Sequence, residues 1–91
     1  MNFIKESNRI YAEDSNGMVI AEVTFPRVSE QVVDINHTFV DNSLRGQGIA
    51  DLLLKETVVL LQEKGLKAQL SCSYAIKWFE KHPELSGLLK Q

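Results

Sequence analysis

Residues 45–65 read RGQGIADLLLKETVVLLQEKG, a glycine-containing turn followed by a helical pattern. After the turn, apolar residues recur at helical spacing along one side, opposite polar residues such as Asp51 and Lys55. Gly65 stands where the pattern stops, in the position of a C-cap glycine. The stretch therefore predicts one amphipathic helix over residues 49–64. Its predicted buried stripe consists of Ile49, Leu53, Thr57, Leu60 and Leu61.

Two segments with strand character flank this helix. Residues 31–40 alternate in polarity, and the predicted apolar face consists of Val33, Ile35, His37 and Phe39. Residues 66–72 alternate in the same way and end at Cys72. Because a strand–helix–strand crossover places its strands parallel, the carboxyl ends of both strands face one edge of the sheet. That edge would gather His37, the 45–50 turn and Cys72, with His37 among apolar neighbours.

The amino-terminal third predicts a β-meander. Two short mixed segments come first, and Ser15-Asn16-Gly17 supplies the positive φ angles of a tight hairpin turn. The next strand, residues 18–25, stops at Pro26. Towards the other end, Ser73 would cap a short second helix that ends before Pro83. The fold class is therefore α/β: a mostly antiparallel sheet with one parallel β-α-β unit, in one domain over residues 1–91.

Composition narrows the classes of function. With 44% hydrophobic and 24% charged residues, the 91-residue chain should build a single core. Its net charge of -2 offers no basic field for nucleic acid. One cysteine excludes an internal disulfide, and no Cys and His spacing predicts a zinc site. Since no apolar run is long enough for a signal peptide or a membrane span, we expect a cytoplasmic protein that binds neither membrane nor metal.

The turn before the helix has the chemistry of an anion site. Gly46 and Gly48 let the backbone approach an anion closely, and the first amides of the following helix point at it. A Walker loop is excluded because no Gly-Lys-Ser/Thr follows, and Asp51 replaces the third glycine of a dinucleotide fingerprint. The pattern that remains is Arg-x-x-Gly-x-Ala. On spacing alone, the alternative is a plain turn whose glycines serve only backbone geometry.

Residues 45–50, Arg-Gly-Gln-Gly-Ile-Ala, resemble the acyl-CoA pyrophosphate loop, Gln/Arg-x-x-Gly-x-Gly/Ala, of the GNAT acetyltransferase superfamily. Their position between a predicted strand and a predicted helix agrees with that resemblance. Further matches make the chain similar to the small YjdJ-type branch of GNAT proteins over roughly its last two-thirds. These matches are His37-Thr38, Leu44 through Ala50, Cys72-Ser73-Tyr74 and His82-Pro83-Glu84.

The resemblance implies a reduced GNAT-like fold that binds acetyl-CoA or CoA and acetylates an amine. It implies that loop amides hold the pyrophosphate, and that the strand near Phe39 and Val40 pairs with the pantetheine arm through its backbone. The cofactor-binding residues are then Phe39, Val40, Arg45, Gly46, Gln47, Gly48, Ile49 and Ala50. The acceptor, a small amine or a protein, and the oligomeric state are not readable from the sequence.

Three side chains have both a chemical and a structural interpretation. Cys72, before a helix amino terminus, is either a nucleophile or acid at the thioester, which the resemblance favours, or a small buried hydrophobe. His37 is either a general base or a hydrogen-bonded core histidine. Arg45 either contacts phosphate or projects into solvent. Beside the acetyltransferase, two other functions stay open: a non-catalytic acyl-CoA-binding module, and an interaction domain that binds no CoA.

Overall fold

The computed structural model describes residues 1–90. These residues form seven β-strands and two α-helices. One 3₁₀ turn precedes the first helix, and another follows the second. The strands are β1 (Ile4–Glu6), β2 (Arg9–Glu13), β3 (Val19–Thr24), β4 (Arg27–Ser29), β5 (Val32–Ile35), β6 (His37–Val40) and β7 (Lys67–Leu70). The helices are α1 (Ile49–Lys64) and α2 (Ser73–Glu80), and the 3₁₀ turns are Asn42–Leu44 and Pro83–Leu88.

The predicted β-meander is confirmed. Strands β1, β2 and β3 pair antiparallel in sequence order. In the hairpin between β2 and β3, Asp14 Oδ1 accepts from the amides of Asn16 (2.8 Å) and Met18 (3.0 Å). Gly17 has the predicted positive φ, +82°, whereas Asn16 does not, so only one of the two residues is left-handed. The segment after Pro26 contains the short strand β4, which pairs antiparallel with β5.

The single strand predicted over residues 31–40 is wrong. The strand is interrupted at Asn36. The segment before it, β5, belongs to a three-stranded sheet with β4 and β7, whereas β6 is an edge strand of the four-stranded sheet, beside β3. The phase of burial changes at the break: Val33 and Ile35 are buried before it, whereas His37 is exposed after it. Asn36 donates its backbone amide to the carbonyl of Thr24 (3.2 Å), which anchors the break to β3.

The β-α-β unit is confirmed in helix bounds and in strand direction. Helix α1 covers residues 49–64 and ends at Gly65, whose φ of +68° is that of a left-handed C-cap. Strands β5 and β7 then pair parallel, from Val32 opposite Lys67 to Ile35 opposite Leu70. The predicted stripe is buried in full, and Thr57, its polar member, donates to the carbonyl of Leu53 (2.8 Å). The α/β fold class therefore stands.

The end of the unit differs from the prediction by two residues. Strand β7 ends at Leu70, and Cys72 rather than Ser73 is the N-cap of α2. The amides of Ser71 and Cys72 both donate to the carbonyl of Ile35 (3.1 Å each), which turns the chain out of the sheet before the helix begins. Helix α2 ends at Glu80, ahead of Pro83.

One core joins the two sheets to the helices. Its largest fully buried hydrophobic side chains are Ile10, Val23, Phe25, Val33, Ile35, Leu53, Leu54 and Leu61. Helix α1 contacts β2, β3 and β6 and thus covers the inner face of the four-stranded sheet. Neither helix of residues 1–90 has the length and apolar character needed to cross a lipid bilayer. Over the same residues, no cluster of three or more His, Cys, Asp or Glu is arranged to hold a metal ion.

Candidate acyl-CoA site

The turn that precedes α1 is held by its own short contacts. Asp41 begins a 3₁₀ turn by accepting from the amide (3.1 Å) and the hydroxyl (2.6 Å) of Ser43. Arg45 is extended, and the two glycines that follow it have positive φ, +82° for Gly46 and +73° for Gly48. A Cβ at either glycine would have no heavy atom within 4 Å, so backbone conformation, not crowding within the chain, favours glycine here.

The amino terminus of α1 exposes a set of unused donors. Gly48 is its N-cap and provides no side chain to accept from the first turn. Within residues 1–90, no carbonyl or side chain accepts a hydrogen bond from the amides of residues 46–51. These amides lie at the positive end of a 16-residue helix, where an anion is favoured. The turn thus has the donors that a pyrophosphate requires.

A pocket of about 430 Å³ lies directly over these donors. Of the eight predicted cofactor residues, Gln47 alone does not line it. The lining residues are Thr38, Phe39, Val40, Leu44, Arg45, Gly46, Gly48, Ile49, Ala50, Asp51 and Tyr74. Arg45 is exposed, and its guanidinium makes no ion pair with a carboxylate of the described residues. It is therefore available to an anion in the pocket.

Strand β6 contributes backbone to the same pocket. It is an edge strand, paired with β3 alone among the described strands. The amide of Asp41 donates to Ile20 of β3 (2.8 Å). Since an antiparallel strand alternates the direction of its hydrogen bonds, the N–H and C=O groups of Thr38 and Val40 point to the free outer edge. An extended ligand with amide groups can pair there.

Cys72 lies beside the pocket, one contact away from its lining. Its Sγ is 3.3 Å from the hydroxyl of Thr38, which does line the pocket. Burial raises the pKa of the Cys72 thiol, but the Thr38 hydroxyl and the amides of Ala75, Tyr74 and Thr38 outweigh burial, and the pKa lies below its ordinary value. The amides of α2 form no capping hydrogen bond to the sulfur, so they act as nearby dipoles. The thiol is free and half-buried.

The sequence predicted His37 among apolar neighbours, and this prediction is wrong. Its side chain is 53% exposed, and its Nε2 is 3.6 Å from Oε1 of Glu22. Because His37 and Thr38 are adjacent on a strand, they face opposite sides of the sheet. Glu22 also pairs with Arg9. The imidazole therefore belongs to a polar group on the outer face, and Thr38 is the residue that faces Cys72.

Two residues of the site were missed by sequence reasoning. Thr38 was placed with the polar face of a continuous strand, and only the break at Asn36 turns it towards Cys72. Asp51, at the first turn of α1, accepts from Trp78 Nε1 (2.7 Å) and pairs with Lys55 (3.0 Å), and these contacts hold the pKa of its carboxyl below the usual range. The spacing of four residues between Asp51 and Lys55 could have predicted their ion pair on the helix. The hydrogen bond with Trp78 could not be predicted in this way, because 27 residues separate Asp51 from Trp78.

His82 caps the carboxyl end of α2. Its Nδ1 lies 2.7 Å from the carbonyl of Trp78, near the end of α2. Its ring also stacks on the Trp78 indole at a centroid distance of 3.9 Å. Tyr74 lines the pocket, while Trp78 and Phe79 are buried.

Comparison with protein families and curated proteins gives a consistent picture. The model of the family described as GCN5-related N-acetyl-transferase matches residues 9–88. Protein NATD1 of Gallus gallus is 36% identical over 63 residues, which are 69% of this chain and 57% of that protein. NATD1 of Homo sapiens is 36% identical over 63 residues, covering 69% of this chain and 56% of that protein. The chain thus spans little more than half the length of these relatives.

Solved structures agree with the family match. The NMR solution structure of a GCN5-like protein from Staphylococcus aureus has a TM-score of 0.81 and 31% identity, and the similarity covers 98% of this chain and 87% of that one. YhbS of Escherichia coli, a GNAT family N-acetyltransferase solved in complex with CoA, has a TM-score of 0.59 and 31% identity. That similarity covers 68% of this chain and 38% of YhbS.

Proposed function

This chain belongs to the GCN5-related N-acetyltransferase family, and on that basis we propose that it binds acetyl-CoA and transfers the acetyl group to an amine. The observation that carries the proposal is the pocket of about 430 Å³ in which unused helix amides meet the free edge of β6. The CoA complex of YhbS, 31% identical to this chain, supports the choice of ligand.

The residues present fit CoA. The amides of residues 46–51 provide donors for a pyrophosphate at the positive end of α1, and Arg45 adds a charge beside them. The outer edge of β6 offers N–H and C=O groups to the amides of a pantetheine arm, next to Phe39 and Val40. An arm laid along β6 from the turn leads its thioester towards Thr38 and Cys72.

In the proposed reaction, the Cys72 thiolate is the nucleophile. Its Sγ attacks the acetyl carbonyl carbon, the bond from that carbon to the CoA sulfur breaks, and the departing thiolate takes a proton from solvent. A neutral amine then attacks the Cys72 thioester. The new C–N bond forms as the bond to Sγ breaks, which returns Cys72 to its thiolate and releases a proton from the nitrogen. The lowered pKa of the thiol supports this route.

The alternative chemical role for Cys72 is that of an acid. In direct transfer, the amine attacks the acetyl group of the bound substrate, and the Cys72 thiol gives its proton to the departing CoA thiolate. The two roles differ in one product that can be weighed, because only the nucleophile carries an acetyl group. A Cys72→Ser variant replaces the thiol by a hydroxyl and provides a second comparison.

The sequence predicted His37 as the base that takes the proton of the amine, and we keep this role as a proposal although His37 does not line the pocket and Thr38 is the residue that faces Cys72. A His37→Gln protein is then expected to transfer acetyl groups to amines more slowly. Its CoA affinity and its acetylation at Cys72 should match the wild type, because neither step uses the base. A normal rate of amine acetylation would remove His37 from the mechanism.

A second candidate function is an acyl-CoA-binding module without turnover. The observation that favours it concerns the pocket lining: Asp51 is the only carboxylate in it, and donors from Trp78 and Lys55 already occupy that group. A module of this kind binds CoA as tightly as an enzyme does, but it acetylates no amine.

The acceptor is proposed as an amine of a small molecule or of a protein. We also propose a cytoplasmic location, since a single half-buried cysteine with a lowered pKa suits a reducing compartment. Blocking thiols at the moment of cell lysis, followed by mass analysis, checks this point. Cys72 recovered mainly as a mixed disulfide would contradict a reducing location.

The test is intact mass after incubation with acetyl-CoA, for the wild type and Cys72→Ala, with CoA titrated into both by calorimetry. The proposal predicts an acetyl adduct that is absent from Cys72→Ala, although both proteins bind CoA equally. Amine acetylation without an adduct would support direct transfer. Binding with neither product would support the module, and no binding of CoA by the wild type would overturn the proposal.

A further inference from the structure

The pocket over the 45–50 turn is complementary to a phosphate and to an arm that contains amides. The unused amides of residues 46–51 lie at the positive end of α1, where a phosphate is favoured. The free edge of β6 presents the N–H and C=O groups of Thr38 and Val40, with which the amides of an arm can pair. Together these features match phosphopantetheine, the part that CoA has in common with other phosphopantetheine thiols.

The same lining has no group free to bind an ammonium ion. Among the described residues, Asp51 is its only carboxylate, and Asp51 already accepts from Trp78 and pairs with Lys55. Arg45, also in the lining, makes no ion pair with a carboxylate of residues 1–90. The uncompensated charge of the pocket is therefore positive, and it favours an attacking thiolate over a protonated amine.

The mouth of the pocket leaves a bound phosphate open to solvent. Residues 45–48, which form the turn beneath that phosphate, are all exposed. The contacts of the pocket with the phosphate and the arm therefore do not depend on what is attached beyond the phosphate.

We infer that this protein also exchanges acetyl groups between thiols, and that a phosphopantetheine thiol other than CoA accepts the acetyl group, with its phosphate at Arg45 and the turn. The inference rests on the proposed function, because it starts from the acetyl group on Cys72. By microscopic reversibility, CoA can take this acetyl group back through the same pocket. Another phosphopantetheine thiol makes the same contacts and takes the place of CoA.

In the exchange step, the thiol of the arm gives its proton to solvent and lies as a thiolate beside Thr38. Its sulfur attacks the carbonyl carbon of the Cys72 thioester, and the new C–S bond forms as the bond to Sγ breaks, which returns Cys72 to its thiolate. The Thr38 hydroxyl, 3.3 Å from Sγ in the free protein, donates to the sulfur that carries the charge. Since one thioester replaces another, equal amounts of the two thiols should share the acetyl group almost evenly.

The experiment incubates the protein with acetyl-CoA and one second thiol, and follows the thioesters by mass spectrometry. The second thiol is isotope-labelled CoA, phosphopantetheine, pantetheine or N-acetylcysteamine, which is the end of the arm alone. We expect the wild type to acetylate phosphopantetheine about tenfold faster than pantetheine, and pantetheine faster than N-acetylcysteamine. Cys72→Ala should show only the uncatalysed rate with every thiol.

Arg45→Gln and the control Lys64→Gln test the phosphate contact. Each variant removes one positive charge from an exposed residue, but Lys64 lies at the far end of α1 and outside the pocket. Arg45→Gln should lose most of the preference for phosphopantetheine over pantetheine, whereas Lys64→Gln should keep it. Circular dichroism of each variant verifies that a lost preference does not come from a lost fold.

Exchange with labelled CoA separates a failure of this inference from a failure of the proposed function. If labelled CoA exchanges but phosphopantetheine reacts no faster than N-acetylcysteamine, the inference is wrong and the Cys72 route stands. A full preference for phosphopantetheine in Arg45→Gln would also overturn the inference. If labelled CoA does not exchange, the Cys72 route fails and this inference fails with it.

A carrier protein that bears a phosphopantetheine arm distinguishes two sources of the thiol. Acetylation of that arm, absent from the same carrier without the arm, would support the inference with a protein-bound acceptor. Acetylation of free phosphopantetheine alone would support the inference with a small-molecule acceptor.

Discussion

At the scale of single residues, the contact between Thr38 and Cys72 links the site to the fold. Cys72 was predicted because it follows an alternating strand and precedes a helix, both of which are local patterns. Its partner was not, since 34 residues separate the two in the chain. A phase change of burial at Asn36 brings Thr38 to the facing side, and a change of that kind leaves no mark in the alternation of residue types.

The first prediction concerns the ionisation of Cys72. In Thr38→Val the thiolate loses a hydroxyl donor, so its pKa should rise, and alkylation by iodoacetamide at neutral pH should slow about fivefold. Thr38→Ser keeps the donor and should keep the wild-type profile of rate against pH. If Thr38→Val and the wild type titrate at the same pH, the hydroxyl does not stabilise the thiolate, and burial and the helix amides alone set its pKa.

At the scale of elements, the sequence predicted the helix better than the strands. The bounds of α1 agree with the prediction because an apolar stripe and a terminal glycine mark both its length and its end. The strand over residues 31–40 failed because its two halves pair with different partners, β7 and β3, through contacts distant in sequence. The end of β7 was also mispredicted because of distant contacts: the carbonyl of Ile35 accepts hydrogen bonds from the amides of Ser71 and Cys72.

A prediction at this scale uses the glycines at the two ends of α1. Gly48 and Gly65 have nearly equal conformations, φ +73° and ψ 20° against φ +68° and ψ 30°. A Cβ at either position would meet no neighbour, so Gly48→Ala and Gly65→Ala should each cost only the left-handed backbone strain. We expect about 1 kcal/mol for each in urea unfolding. If Gly48→Ala leaves the free energy of unfolding unchanged, the turn changes its conformation to accommodate the methyl group.

At the scale of the whole molecule, we propose that residues 1–91 form one cooperative domain. The radius of gyration is 12.8 Å, near the value of about 12 Å expected for a compact domain of this length. The buried cluster runs without interruption from Ile10 in the meander through Leu53 in α1 to Trp78 in α2. This one cluster contains residues of both sheets, so neither sheet should be stable without the other.

The chain offers separate signals for testing this cooperativity. The single tryptophan, Trp78, reports on α2 by fluorescence, whereas far-ultraviolet circular dichroism reports on both sheets and both helices. We expect the two urea transitions to coincide at one midpoint. An earlier fluorescence transition would show that α2, with the candidate site, unfolds before the sheets.

Calorimetric titration of CoA into the wild type, Gly48→Ala and Gly65→Ala is the most direct test of the central claim, that the 45–50 turn is an acyl-CoA site. The account predicts binding at one site, weakened at least tenfold in Gly48→Ala, where a methyl group stands among the free amides. Gly65→Ala, with the same strain at the far end of the helix, should bind like the wild type. No binding by the wild type, or equal affinities in all three proteins, would contradict the account.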